Sequence, residues 1–137
     1  MKKILAIILS MLLLGCSAFA VDFTNLLDVQ NYVLTHTAHD MGPYPPVASI
    51  MGTIVSIDFV TGNHYTMTLE VNDDRARTAL GYDLPMLTAS FRLHVDNMPF
   101  EVGQQALVVG SINPMYSTPL IPNLLVTEIN GYDQDEF

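Results

Sequence analysis

The sequence predicts a mainly β protein: a small closed barrel of five strands preceded by one amphipathic helix. Three observations carry this. From Val47 onward, apolar residues recur at every second position through several short segments. Glycines stand inside those segments or at their ends, at Gly52, Gly103 and Gly110, where a barrel strand must coil or let another backbone come close. Turn-forming residues separate the segments at spacings that suit hairpins.

Ahead of this region the chain carries an address. Met1-Lys2-Lys3 is basic, Ile4 to Leu14 is an apolar run broken only by Ser10, and small residues follow, which is the layout of a bacterial secretory signal over residues 1–20. The run is too short to span a bilayer comfortably. Ala18-Phe19-Ala20 is a cleavage signal that would free a chain starting at Val21. Leu13-Leu14-Gly15-Cys16 resembles a lipobox, in which Cys16 becomes the lipidated first residue. Both sites stay open, and both imply export, to a lipid anchor at Cys16 or to a periplasmic or secreted form. Cys16 is the single cysteine, so no intrachain disulfide can form.

Both lysines lie in the signal. Residues 21–137 therefore keep three cations, Arg75, Arg77 and Arg92, against all fourteen carboxylates, a formal charge of −11. Such a surface repels phosphate backbones and cannot gain affinity by releasing their counterions, which argues against nucleic acid. It equally argues against docking on anionic head groups, leaving the anchor at Cys16 as the expected membrane contact. The remaining length suits one domain with one core, and no internal repeat suggests two.

Asp22 to Thr37 reads as a helix capped by Asp22 or Thr24, with Phe23, Leu26, Leu27, Val33 and Leu34 on one face and Gln30 as the polar residue among them. His39 to Pro46, with three prolines and a glycine, reads as a stiff connector completing a 21–46 segment. The first strand spans Val47 to Phe59, with a bulge or sharp coil expected at Gly52. A turn at 60–63 leads to a second strand, His64 to Val71, in which Tyr65, Met67, Leu69 and Val71 face the core. After a polar connection over 72–85, the third strand, Met86 to Val95, points Leu87, Ala89, Phe91, Leu93 and Val95 inward. Glu101 to Gly110 gives a turn at Gly103, a buried strand, and a glycine at 110 where no side chain would fit. Leu124 to Ile129 is the fifth strand, and residues 131–137 read as an acidic tail.

Gly52-Thr53-Ile54-Val55 in the first strand, the hairpin, the third strand, Val102-Gly103 leading into Ala106-Leu107-Val108-Val109-Gly110, and the last strand Leu124 to Ile129 together resemble an OB-fold, the five-stranded Greek-key barrel, over 47–130. The resemblance implies an architecture and no particular activity. OB-folds that bind single-stranded nucleic acid use aromatic platforms in a basic groove. Here the outward residues of strands two and three are Thr66, Thr68, Thr88 and Ser90 with His64, Glu70, Arg92 and His94. That face is either a solvated sheet surface or a contact surface for a small polar ligand such as a sugar or peptide.

The loop over 113–122 offers Met115, Tyr116, Leu120 and Ile121 between prolines, where the OB-fold resemblance implies a binding loop. These side chains either fold over the barrel end or meet a partner, an envelope protein among the candidates. No phosphate loop, nucleophile elbow or cofactor motif is present. His36, His39 and Asp40 have metal-binding chemistry but read as a solvated helix end, and Asn72-Asp73-Asp74 lacks the pattern of a calcium loop. The expectation is a non-catalytic binding module of the cell envelope without metal or cofactor. Its alternative is an accessory lipoprotein acting through a protein partner.

Processing is directly testable. If Cys16 is lipidated, the intact mass carries the lipid, and Cys16→Ala releases a soluble chain starting at Val21. An unmodified wild-type chain starting at Val21 excludes the anchor.

Overall fold

The computed structural model describes residues 20–78 and 85–137; the expected signal with Cys16, and the middle of the 72–85 connection, lie outside the described residues. From Val47 the chain lays down β1 (Val47–Thr61), β2 (His64–Glu70), β3 (Met86–Arg92), β4 (Gln105–Ile112) and β5 (Asn123–Ile129). β1 serves two neighbours in turn, pairing with β4 along Val47 to Thr53 and with β2 from Thr53 to Thr61. β2 continues antiparallel into β3, and β4 into β5. The sheet closes where β3 meets β5 in a short parallel pairing, Thr88 opposite Asn123 to Ser90 opposite Leu125. The product is the expected mainly β architecture, a closed five-stranded mixed barrel of OB-like strand order.

The glycines mark close backbone approaches. At Gly52, where β1 changes partner, an added Cβ would sit 2.7 Å from the Glu70 carbonyl oxygen and 3.0 Å from Leu69 Cβ. Of the bulge or sharp coil expected at Gly52, the bulge is absent, because Gly52 stays in register with Ala106; β1 shifts register between Ile54 and Ser56 and again between Phe59 and Thr61. A Cβ at Gly110 would collide with the Leu125 carbonyl oxygen and lie 2.8 Å from its carbon. The turn at Gly103, φ +93°, is stapled to β1 by hydrogen bonds in both directions: Gly103 N donates to the Ile54 carbonyl (2.7 Å) and Ile54 N to the Gln104 carbonyl (2.9 Å). Gly62 at φ +57° leads the two-residue loop between Thr61 and His64, the position a II′ hairpin turn reserves for glycine.

The faces follow the alternation. Ile54, Leu69, Phe91, Val108 and Val126 are all at most 8% exposed and meet in one core. β3 is shorter than expected: past Arg92 the backbone turns away, with Leu93 N donating to the Asn63 carbonyl and His94 N to that of Phe137 (both 2.7 Å), and Val95 is exposed.

The amino-terminal helix is also shorter than its pattern. α1 runs Leu26–Thr35, capped by the Asn25 side chain accepting from Asp28 N (3.0 Å). Asp22 and Phe23 are drawn to the barrel instead: the Asp22 carboxylate accepts from Val47 N (2.9 Å), and Phe23 bridges Ala48 in parallel. The buried stripe is therefore Leu26, Val29, Gln30 and Val33, and Leu34 is exposed. A one-turn helix, α2 (Ala38–Met41), opens the connector with a Thr37 and Asp40 capping box and buries Met41. Near the start of α1, Leu27 N donates to Asp73 (3.3 Å). Partial burial alone would raise the Asp73 pKa, but the backbone N–H groups of Arg75 and Leu27 and the Arg75 charge together hold it below the ordinary value.

The acidic segment is not a solvated tail. Asn130 (φ 53°) and Gly131 (φ 84°) turn the chain into a short strand, β6 (Tyr132–Asp133), paired with β5, and a 3-10 turn over Gln134–Glu136 follows. Phe137 then inserts between Phe91 and Phe100, with ring centroids 5.9 and 5.1 Å away, and is 3% exposed. The carboxylates stay outside while Gln134 and Phe137 make the contacts, which net charge cannot show.

Gly110→Ala must push β4 from β5 and is expected to lose about 2 to 3 kcal/mol, whereas the neighbouring Ser111→Ala stays within about 0.5 kcal/mol. Urea midpoints at unchanged slope measure both, and equal midpoints contradict the close approach.

Candidate functional site

The site begins with two asparagines that bracket the 113–122 loop. Asn123, at the first position of β5, is 3% exposed and places its amide at the barrel seam. Its Nδ2 donates to Thr88 Oγ1 (2.8 Å) and Ser90 Oγ (3.1 Å) on β3, and its Oδ1 accepts from Asn113 Nδ2 (2.9 Å). The backbones of the two asparagines also pair, Asn113 N donating to the Asn123 carbonyl (2.8 Å). Ser117 ties the loop's middle to the same residue, accepting from Asn123 N (2.9 Å) and donating to the Asn123 carbonyl (3.1 Å). From behind, Gln30 of α1 donates to the Leu120 carbonyl (3.1 Å). The loop is thus held at both ends, in its middle and from its back.

These elements enclose an open groove of about 540 Å³ on the β2–β3 face. Thr66, Thr88, Ser90 and Asn123 form its floor, and Tyr65, Tyr116, Val60 and Leu125 its walls. Tyr116 stands 73% exposed at the loop, and the β1–β2 hairpin raises Val60 opposite, 57% exposed. Tyr65, expected inside, is half-buried at the rim, stacked on Phe91 at 5.9 Å and edge-on to Phe59 at 5.6 Å. Among the described residues, His64 is the one lining the groove that can carry a positive charge, and no carboxylate lines it.

The hydroxyls are already committed. Thr88 Oγ1 donates to the Pro122 carbonyl (3.2 Å) and Ser90 Oγ to Asn123 Oδ1 (3.3 Å). A hydroxyl has one proton and two lone pairs, so Thr88 and Ser90, each also accepting from Asn123, keep only acceptor capacity for a ligand. Neither hydroxyl donates to a base, which is what activating it as a nucleophile would need. Thr66, whose hydroxyl has no protein partner among the described residues, can donate or accept.

Of the residues singled out from the sequence, Thr66, Thr88, Ser90 and Tyr116 come together in this groove. Arg92 lines an adjoining one. Thr68 lies further along β2, Met115 projects into solvent at 78% exposure, and Leu120 and Ile121 sit on the loop's far limb, with Thr118 hydrogen-bonded to Ile121 across it. Met115 and Tyr116 are exposed and do not fold back over the barrel end, whereas Ile121 is half-buried. Sequence reasoning missed Asn113, Asn123, Val60 and Leu125. The signal for the asparagines was available: each stands beside a proline, Asn113-Pro114 and Pro122-Asn123, framing the loop symmetrically.

Two of the residues with metal-binding chemistry, Asp40 and His36, have local partners. Asp40 accepts from Thr37 N (3.2 Å), and that backbone bond first, with the Thr37 hydroxyl, lowers its pKa. His36 lies 3.0 Å from the Tyr32 carbonyl and stacks on the Tyr32 ring at 4.0 Å. Comparison with protein-family models, curated proteins and solved structures gave no significant match.

Asn123→Ala strips the seam of its bridging amide and leaves buried partners unsatisfied, a loss of about 2 to 3 kcal/mol, while Thr68→Ala stays within about 0.5 kcal/mol. Amide exchange should also accelerate across residues 113–122 in Asn123→Ala. Unchanged protection there would mean that the loop is ordered by something else.

Proposed function

We propose that this protein is an exported, non-catalytic binding module of the bacterial cell envelope, which holds a hydroxyl-rich ligand of the sugar class in the groove between the β1–β2 hairpin and the 113–122 loop. The observation that carries the reading is the pairing of a pre-set acceptor floor, Thr88 and Ser90, with the exposed ring of Tyr116. Acceptors fixed in place match ligand O–H donors, and an exposed ring offers a flat apolar surface to sugar C–H faces. A loop braced before binding loses little entropy on binding. Export rests on residues 1–20, and lipidation, if it occurs, on Cys16. No nucleic acid is expected as ligand: Arg75 is neutralised by Asp73 at 3.4 Å, and the remaining charge is strongly negative.

A second reading has its own support. Phe59, Val60, Met115 and Tyr116 are exposed apolar or aromatic side chains on the hairpin and loop, a composition that also suits a protein partner. It corresponds to an accessory lipoprotein without a small ligand.

An array of short oligosaccharides probed with residues 21–137 decides between them. The expected result is glycan binding that Tyr116→Ala weakens about tenfold, equivalent to about 1.4 kcal/mol. An array without signal, together with a stoichiometric envelope protein retained from membranes and lost in Met115→Ala, establishes the second reading instead.

A further inference from the structure

We propose, resting on the sugar-binding reading above, that the groove continues into a second subsite that reads a single carboxylate, so that the ligand is an acidic oligosaccharide longer than one ring. A second groove of about 410 Å³ adjoins the first and shares His64, Ser90 and Leu125 with it. Its distinctive residues are Arg92, His94, Gln134 and Asp135. From Thr88 to Arg92 the β3 strand advances about 13 Å, so a ligand touching both the acceptor floor and Arg92 must be extended.

The chemistry changes along that path. The first groove has no charged floor, and the second holds a guanidinium that forms no ion pair among the described residues. The Arg92 backbone is held in place, while its side chain is exposed. The Gln134 side chain clamps its backbone on both sides, Oε1 accepting from Arg92 N (2.8 Å) and Nε2 donating to the Arg92 carbonyl (2.7 Å). His94 lies with Nδ1 3.3 Å from the Phe137 backbone oxygen. That oxygen, carbonyl or carboxylate, only accepts, so the contact calls for a proton on Nδ1 and leaves Nε2 for solvent or ligand. A planar guanidinium presents paired donors that match a carboxylate bidentately. Asp135 on the same wall limits the charge tolerated: one guanidinium facing one carboxylate does not accommodate a polyanion. This restricts the ligand to isolated carboxylates on an otherwise neutral chain, as in uronic-acid or lactyl-ether glycans.

The test prints each acidic oligosaccharide on the array twice, once free and once as its methyl ester. Residues 21–137 should bind the free acids about tenfold more tightly, the difference shrinking in high salt as exposed charges are screened. Arg92→Gln, at an exposed position and checked by its melting curve, should bring the ratio of acid to ester affinity from about ten to near one; a tenfold preference retained in the variant overturns the assignment to Arg92. Equal or tighter binding of the esters by wild type overturns the carboxylate subsite and leaves the sugar-binding reading standing. Absence of any glycan signal, acidic or neutral, overturns both.

Discussion

The parallel contact between β3 and β5 is the constraint on which the rest depends. Strands that run parallel cannot be joined by a hairpin, so this seam must be assembled from parts of the chain that meet only when the barrel closes. It comprises three residue pairs. Asn123 supplies what so short a ladder lacks, its amide reaching Thr88 and Ser90 on one side and Asn113 on the other. An amide buried there is costly unless every proton and lone pair has a partner, and among the described residues no buried side-chain nitrogen or oxygen lacks one. Asn123 also receives the returning loop, so the residue that closes the barrel is the one that anchors the loop carrying Tyr116.

Gln30 applies the same logic on the opposite side. A fully apolar stripe would pack α1 against the barrel without fixing what lies beside it. With Gln30 fully buried, its Nε2 bonds the carbonyls of Arg77 and Leu120 and its Oε1 accepts from Arg77 N at 2.8 Å. Three hydrogen bonds offset the desolvation of one amide and join α1, the 72–85 connection and the 113–122 loop. The helix therefore acts as a brace for the loop as well as a cover for the core, which ties a structural element far from the groove to the groove's shape.

The groove's hydroxyls show how structure and function share atoms. Thr88 and Ser90 hold the seam with their protons and can meet a ligand only with what remains. Substituting them would change stability and binding together, so binding is better probed at Tyr116 and Arg92, whose exposed side chains form no hydrogen bonds among the described residues. The arm over 130–137 plays a similar double part: Phe137 fills the core beside Phe91, and Gln134 fixes the residue that lines the second groove.

The amino-acid sequence alone sets the facing of most paired positions in β2 and β3, because the two-residue period of a strand is a local property: Met67, Leu69, Leu87, Ala89 and Phe91 are buried as their alternation requires, while Tyr65 is half-buried at the rim and Val95, past the end of β3, is exposed. It also determined that Gly110 could carry no side chain and that Gly103 turns, since both requirements are written in residue type. Tertiary structure alone decided the rest. Phe23 fits a helical stripe as well as it fits a bridge to Ala48, and only the barrel edge chooses the bridge. The acidic run 131–137 has the composition of a solvated tail, yet Phe137 finds a core cavity more than forty residues away in sequence, at Phe91. Thr88 alternates outward like any surface threonine, and its hydroxyl is committed by Asn123, 35 positions further on. Local pattern specifies the face a side chain takes. Which distant group consumes its hydrogen bonds is settled only when the chain closes.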